Sequence, residues 1–404
     1  MNKVFILGAG ASRELLFRTS THDLGGVSQT LIHRLQGPLS SGFFYYANEF
    51  MKEMNKISPL GPNTKISNKW LINFIEEYYF KKNNNKVTFD ELVNDESKSK
   101  GINIESLYIA VEDKLNEIER KRSGKYVEAE EFDPWFGRKD LLKYIHEVFS
   151  TIAFYCYSIY HRILANYIIN QGGSVICFNW DILLEEEMYD TQKWDYKDGY
   201  GFDPAGFIDK NESLGEKYKY KERGFSSENI ILKPHGSINW YQEYDPMEDK
   251  SVDTPKEIFI GIPLTRKGAF RGGTVPGQGR LSFSEIQNKK QIYESVIVPP
   301  GRKRGRFAFI WNDIKNLLTN ADSIISIGFS FNDFDFHIVN EFKDMKFKES
   351  LAVDIVNPSF DIIEKHKVIF RTDRVTKTFN SFSGYCKWIV TQEGTEKFSK
   401  LLIG

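Results

Sequence analysis

The chain has 404 residues, 41% hydrophobic and 27% charged, which fits a folded globular protein with a substantial core. Its 54 basic and 55 acidic side chains nearly cancel, which excludes a global electrostatic pull toward nucleic acid or an anionic membrane. Cys156, Cys177 and Cys386 form no C-x-x-C pair, so they supply no four-thiolate zinc module, and their scarcity suits a reducing compartment.

The first element is a short apolar strand, "KVFIL" at 3–7, which runs into the glycine turn "GAGAS" and is expected to continue as a helix through "RELL". The apolar core before Gly8 is too short for a leader peptide, and no run approaches the ~20 apolar residues of a spanning helix. A soluble, cytoplasmic protein is expected. From about 40 to 170 the apolar residues recur at helical spacing, as in "KDLLKYIHEVFSTIAFY", and we read a helical insertion. Strand-and-helix alternation then resumes. "SVICF" is a strand followed by the helix "ILLEEEMY", and "NIILK" is a strand that stops at His235. A polar excursion over 241–290 precedes the strand "ESVIVPP" and the helix "RFAFIWNDIKNLLTNA". "DSIISIGFS" and "SLAVDIVNP" are further strands, the second the last that is plain in the sequence. A mixed segment with a helix near 380–390 closes the chain.

This order predicts an α/β fold: a Rossmann-like, doubly wound parallel sheet with a large helical insertion. The α/β domain is placed at 1–40 and 171–370, the insertion at 41–170, and a C-terminal segment at 371–404. Five apolar strands end in polar or glycine-rich turns: Gly8–Ser12, Asn179–Asp181, His235–Ser237, Gly328–Ser330 and Asn357–Ser359. In an open parallel sheet, ligands bind outside the carboxyl ends of the strands, so these turns are the candidate site.

Each turn also has a plain structural reading. Glycines at 8 and 10 let a backbone approach a diphosphate, but they also make a tight turn, and Arg13 interrupts a full G-x-G-x-x-G. Asp181 suits a helix N-cap, and Asn179 suits a turn. His235 has a side chain that titrates near neutral pH, as a general base requires, yet lone histidines are commonly structural. "GRKRGR" at 301–306 is a basic run that reads as a solvated loop or a phosphate contact, and Asp333 and His337 stand one helical turn apart without an evident third metal ligand.

Together and in this order, "FILGAGAS", "ICFNWDILLE", "LKPHGSINW", "IISIGFSFNDFDF" and "VDIVNP" resemble the sirtuin-like (Sir2) superfamily, over the α/β parts of the chain. The resemblance is to Sir2-like proteins of bacterial antiviral defence, in which an aromatic such as Trp180 follows the asparagine. It implies that Gly8, Ala9, Gly10 and Ser12 bind the NAD diphosphate, that Asn179 and Asp181 line the nicotinamide-ribose pocket, and that His235 is catalytic. It places Gly328, Ser330 and Asn357 on the adenosine side.

Two departures bear on the activity. The zinc module of protein deacylases is missing, and so is the segment that follows their glycine loop, where "LFRTSTHDLGGVS" stands. The implied activity is an NAD glycohydrolase, with NAD as substrate and no metal, that depletes NAD in antiphage defence. The alternatives are an NAD-dependent protein deacylase and a non-catalytic nucleotide sensor. Such a hydrolase needs a gate, so self-assembly or a partner such as a HerA-type ATPase or a short Argonaute is expected; direct nucleic-acid binding would rest on "GRKRGR" alone.

Overall fold

The computed structural model describes residues 2–22, 28–36, 41–57, 65–122, 133–208, 227–243, 257–261, 293–297, 307–331, 336–370 and 374–392. In chain order its strands are β1 (Lys3–Leu7), β2 (Glu14–His22), β3 (Ser28–Gln36), β4 (Cys156–Tyr157), β5 (Ser174–Cys177), β6 (Gly206–Ile208), β7 (Ile231–Leu232), β8 (Gly236–Glu243), β9 (Phe259–Gly261), β10 (Tyr293–Ile297), β11 (Ser323–Ile327), β12 (Ala352–Val356) and β13 (Val375–Phe379).

Six of them form the central sheet, in the order β13-β12-β11-β1-β5-β7. Every pairing in it is parallel. Val4, Phe5, Ile6 and Leu7 of β1 are at most 1% exposed, because both faces of a parallel sheet are covered and a central strand must be apolar throughout. Helices flank the sheet. Helix Ala308–Thr319 buries Ile310, Ile314 and Leu318, one stripe at four-residue spacing. Helix Ile159–Gln171 starts where the Ser158 side chain accepts the His161 amide and ends at Gly172. The α/β, doubly wound architecture is therefore the one the strand order predicts.

From β1 the sheet grows to β5 and β7 on one side, and to β11, β12 and β13 on the other. The order reverses between β1 and β11, so the topological switch point falls between the loops that carry Gly8–Gly10 and Gly328.

The glycine turn does not lead into a helix. After a 3-10 turn at Ala9–Ser12 the chain forms the β2–β3 hairpin, registered from Glu14 opposite Gln36 to His22 opposite Ser28. Alternating threonines in "FRTSTH" and the branched residues of "SQTLIH" favour extended chain over the helix expected from "RELL".

The strand "ESVI" also lies elsewhere than the central sheet. It is β10 of a second, largely antiparallel sheet, β10-β8-β9-β6, whose β8 begins immediately after His235.

Long helices occupy the region read as helical, among them Phe43–Ile57, Lys69–Asn83, Ile104–Arg122 and Asp133–Tyr155. They enclose a second core around Phe44, Ile75, Leu107 and Ile145. That core also takes in Trp180, Ile182 and Ile238, so it reaches the loops after β5 and β7.

Candidate functional site

The loops after β1 and β11 meet backbone to backbone. Gly8 N–H donates to the Ile327 carbonyl at 3.0 Å, and Gly10 N–H to the Gly328 carbonyl at 3.1 Å. Gly328 has φ +62°, and a Cβ there would lie 2.4 Å from the Ala11 nitrogen, so only glycine closes this seam. Ala11 N–H turns back to the Gly8 carbonyl at 2.9 Å. Three loop amides are thus consumed within the protein, and no α-helix follows. The helix expected after the glycine turn is therefore absent, and with it the helix-terminal N–H groups that would have faced a diphosphate. The side chains beyond the loop, Ser12 and the exposed Arg13, are what it presents at its end.

Ser12 joins the first turn to the second. Its hydroxyl donates to Asp181 Oδ2 at 2.7 Å and accepts from Asn179 Nδ2 at 3.0 Å. All three are buried, at 8%, 4% and 7% exposure. Asp181 Oδ1 accepts the Leu183 amide at 3.1 Å, so this carboxylate supports the start of helix Leu183–Asp190 and binds Ser12 at once. Asn179 Oδ1 is buried and has no hydrogen-bond partner among the described residues. Trp180, between them, points into the helical core, edge-on to Phe149.

His235 sits one strand further along, at 4% exposure. Its backbone is set by the turn in which Gly236 N–H donates to the Lys233 carbonyl at 3.0 Å. Gly236 has φ +73°, and a Cβ there would be 1.9 Å from the Val296 carbonyl oxygen. Ile238 N–H donates to the Trp180 carbonyl at 3.0 Å, tying this turn to the previous one. The imidazole stands edge-on to Phe178, ring centres 5.2 Å apart, and Phe178 stacks on Phe329 at 4.4 Å. The loops after β5, β7 and β11 are thereby linked through rings as well as backbone.

Two charged residues beneath these loops were not singled out in the sequence. Lys233 and Glu185 are both fully buried and form an ion pair, Nζ to Oε1 2.6 Å. Lys233 also donates to the main-chain carbonyl of Asp181. Desolvation holds the Glu185 carboxyl above its usual range, with Lys233 opposing it. Desolvation alone would lower Lys233, but the field of Glu185 and Asp181 outweighs it and keeps the amine protonated. Burial pushes the neighbouring Cys177 thiol up to about 12, which leaves it inert. The available signal was a lysine directly after an apolar strand, since a buried charge requires a partner.

Asn357 and Ser330 lie at the same edge but outside the Ser12 network. Gly328 N–H donates to the Val356 carbonyl at 2.9 Å, which joins the loops after β11 and β12. Asn357 Oδ1 accepts the Ser359 amide at 3.0 Å, a bond that satisfies its own turn. Ser330 is half-buried between Phe329 and Phe331, the latter at φ +47°. "GRKRGR" and Asp333 lie outside the described residues, as does the side chain of His337. Among the described residues the three cysteines are buried and form no disulfide, and no helix is long and apolar enough to cross a membrane.

No family model matches the chain, and no curated protein matches it by sequence. Solved structures do match. A Sir2 homolog–NAD complex aligns with 66% of this chain and 75% of its own, at 12% identity and a TM-score of 0.34. A Sir2 bound to a propionylated peptide aligns with 64% of this chain and 81% of its own, at 12% identity and a TM-score of 0.32. A Sir2–p53 peptide–NAD structure aligns with 59% and 70%, at 12% identity and a TM-score of 0.28.

Proposed function

We propose that the chain binds NAD across the β1/β11 crevice and hydrolyses its nicotinamide–ribose bond, giving nicotinamide and ADP-ribose. The observation that carries this is the orientation of Asn179. Its amide N–H is held by Ser12, and its carbonyl oxygen is buried without a partner among the described residues, at the end of the strand that pairs with the one leading to His235. Such an oxygen costs about 1–3 kcal/mol unless something supplies a donor. A ribose hydroxyl or an attacking water supplies one.

The residues suit the reaction. The C–N bond breaks with its electron pair going to the pyridinium nitrogen, and a water oxygen bonds to the ribose carbon. Positive charge develops on the ribose as nicotinamide leaves. The negative end of the Asn179 amide dipole and the Asp181 carboxylate are already in place for it, so little reorganisation is required. His235 takes the proton that the water gives up. The side chain of Arg13 is the nearest cation in sequence for the diphosphate, given that the glycine-loop amides are occupied.

The sequence resemblance supports the wider proposal that this hydrolysis serves antiphage defence by depleting NAD, with activity gated by self-assembly or by a partner protein. The test is NAD loss by purified protein, with nicotinamide and ADP-ribose quantified, for wild type beside His235→Ala and Asn179→Ala. We expect wild type to consume NAD and both variants to lose activity by about 10²-fold or more while still folding. NAD binding without turnover in all three would favour the sensor, and nicotinamide release that requires an acylated peptide would favour the deacylase. Absence of NAD binding by wild type removes the proposal.

A further inference from the structure

We infer that Lys233, with Glu185 as its counter-charge, is a positioning residue that fixes the Asn179–Asp181 loop for its ligand. The ligand's identity rests on the proposed NAD reading; the positioning does not.

Three observations carry it. The pair is at 0% exposure on both sides, immediately under the candidate site. A fully buried ion pair is a poor way to add stability, because desolvation offsets the attraction, and apolar residues of similar volume are often as good or better. Its presence here therefore calls for another role. The second observation is where the ammonium points: it donates to the main-chain carbonyl of Asp181, not only to Glu185. That carbonyl belongs to the loop whose side chains bind Ser12 and whose Asn179 Oδ1 is buried without a hydrogen-bond donor among the described residues.

The third observation is chain position. Lys233 lies two residues before His235, and the Lys233 carbonyl accepts the Gly236 amide that closes the histidine turn. One residue therefore grips the asparagine loop with its side chain and shapes the histidine loop with its backbone. Glu185 comes from helix Leu183–Asp190, which starts at that same asparagine loop, so the pair also locks the helix to β7. An apolar residue at 233 would fill the space but leave the Asp181 carbonyl free to rotate.

The experiment is the double variant Lys233→Met with Glu185→Leu, which removes both charges together. Three quantities are measured beside wild type: the thermal midpoint, amide hydrogen exchange at Leu183 and Ile238, and NAD affinity by calorimetry. Leu183 and Ile238 are chosen because their N–H groups bond Asp181 Oδ1 and the Trp180 carbonyl. We expect a midpoint at or above that of wild type, exchange at these two amides faster by about tenfold or more, and NAD affinity weaker by about tenfold or more. Unchanged exchange in a folded double variant overturns the inference. Wild type that fails to bind NAD, with exchange accelerated in the variant, overturns the NAD reading and leaves the positioning role standing. Should the double variant not fold, Lys233→Gln with Glu185→Gln takes the same readings, since a glutamine amide at 233 is one bond too short for the Asp181 carbonyl.

Discussion

Asn179 donates its side-chain amide to the hydroxyl of Ser12 at 3.0 Å, across 167 positions of chain. That hydroxyl has a single proton, and it goes to Asp181 at 2.7 Å. Ser12 is therefore acceptor on one side and donor on the other, and its orientation fixes which end of the Asn179 carboxamide is left for a ligand. The glycine turn contributes to the site through this hydroxyl, while its own amides at Gly8, Gly10 and Ala11 serve the fold.

Ser12→Ala strips a partner from two buried groups at once, Asp181 Oδ2 and Asn179 Nδ2. The expected cost is about 2–5 kcal/mol, because each orphaned polar group is charged its desolvation. Denaturant unfolding measures it. Ser12→Thr keeps the hydroxyl and should recover most of the stability. Equal loss in Ala and Thr variants would mean that the site responds to volume and not to the hydrogen bond. If the chain hydrolyses NAD as proposed, turnover at saturating NAD should fall in Ser12→Ala, since the carboxamide is then free to flip.

Gly236→Ala tests the turn that sets His235. The residue has φ +73° and would place a Cβ 1.9 Å from the Val296 carbonyl oxygen. Backbone in this region costs an L-residue about 1–2 kcal/mol before any clash, and here the obstacle is main chain of β10 and cannot rotate aside. We expect a loss of more than 2 kcal/mol, on the order of the strain and clash together, and an inactive protein. Full activity with an unshifted unfolding midpoint would show that the turn tolerates another geometry.

The five strands ending at the site were legible because a parallel strand covered on both faces must be a continuous apolar run, as "VFIL", "SVIC" and "SIISI" are. β13 escaped notice because it is an edge: "VTKTF" has three exposed central residues and carries no such run. The hairpin after the glycine turn was misread because a strand–turn motif implies a helix only when tertiary contacts allow one; here β2 also pairs with β4, from the far end of the helical region. The meeting of Ser12, Asn179 and Asp181 was foreshadowed by their places at strand ends, but their hydrogen bonds were not. The Lys233–Glu185 pair was not read from the sequence, because three consecutive glutamates, Glu185, Glu186 and Glu187, show which one faces inward only through the helix phase. That phase turns Glu185 inward to Lys233 and Glu187 to Arg162, and leaves Glu186 half-buried.

His366 makes stability depend on pH below neutrality. It is fully buried behind β11, with Nδ1 2.8 Å from the Ile362 carbonyl and Nε2 2.7 Å from the Ser326 hydroxyl. A carbonyl only accepts, so Nδ1 carries the proton and Nε2 accepts from Ser326. Burial lowers its pKa to about 4, the Ile362 carbonyl opposing the shift, against an ordinary value of 6.5. Between those two values the unfolded chain binds more protons than the folded one, so stability falls as pH falls. The contribution is fully present above about pH 6.5, and about 3 kcal/mol of it is lost by pH 4. Urea midpoints at pH 7 and pH 4.5 for wild type and His366→Leu check this. Wild type should lose more on acidification than the variant, which has no imidazole to protonate, and parallel losses would assign the acid sensitivity to other groups. Because Ser326 lies two residues before Gly328 and the Phe331 ring stands 4.7 Å from the imidazole, protonation first disturbs the β11 side of the crevice. NAD affinity, where the wild type shows it, should then decline over the same pH range and decline less in His366→Leu.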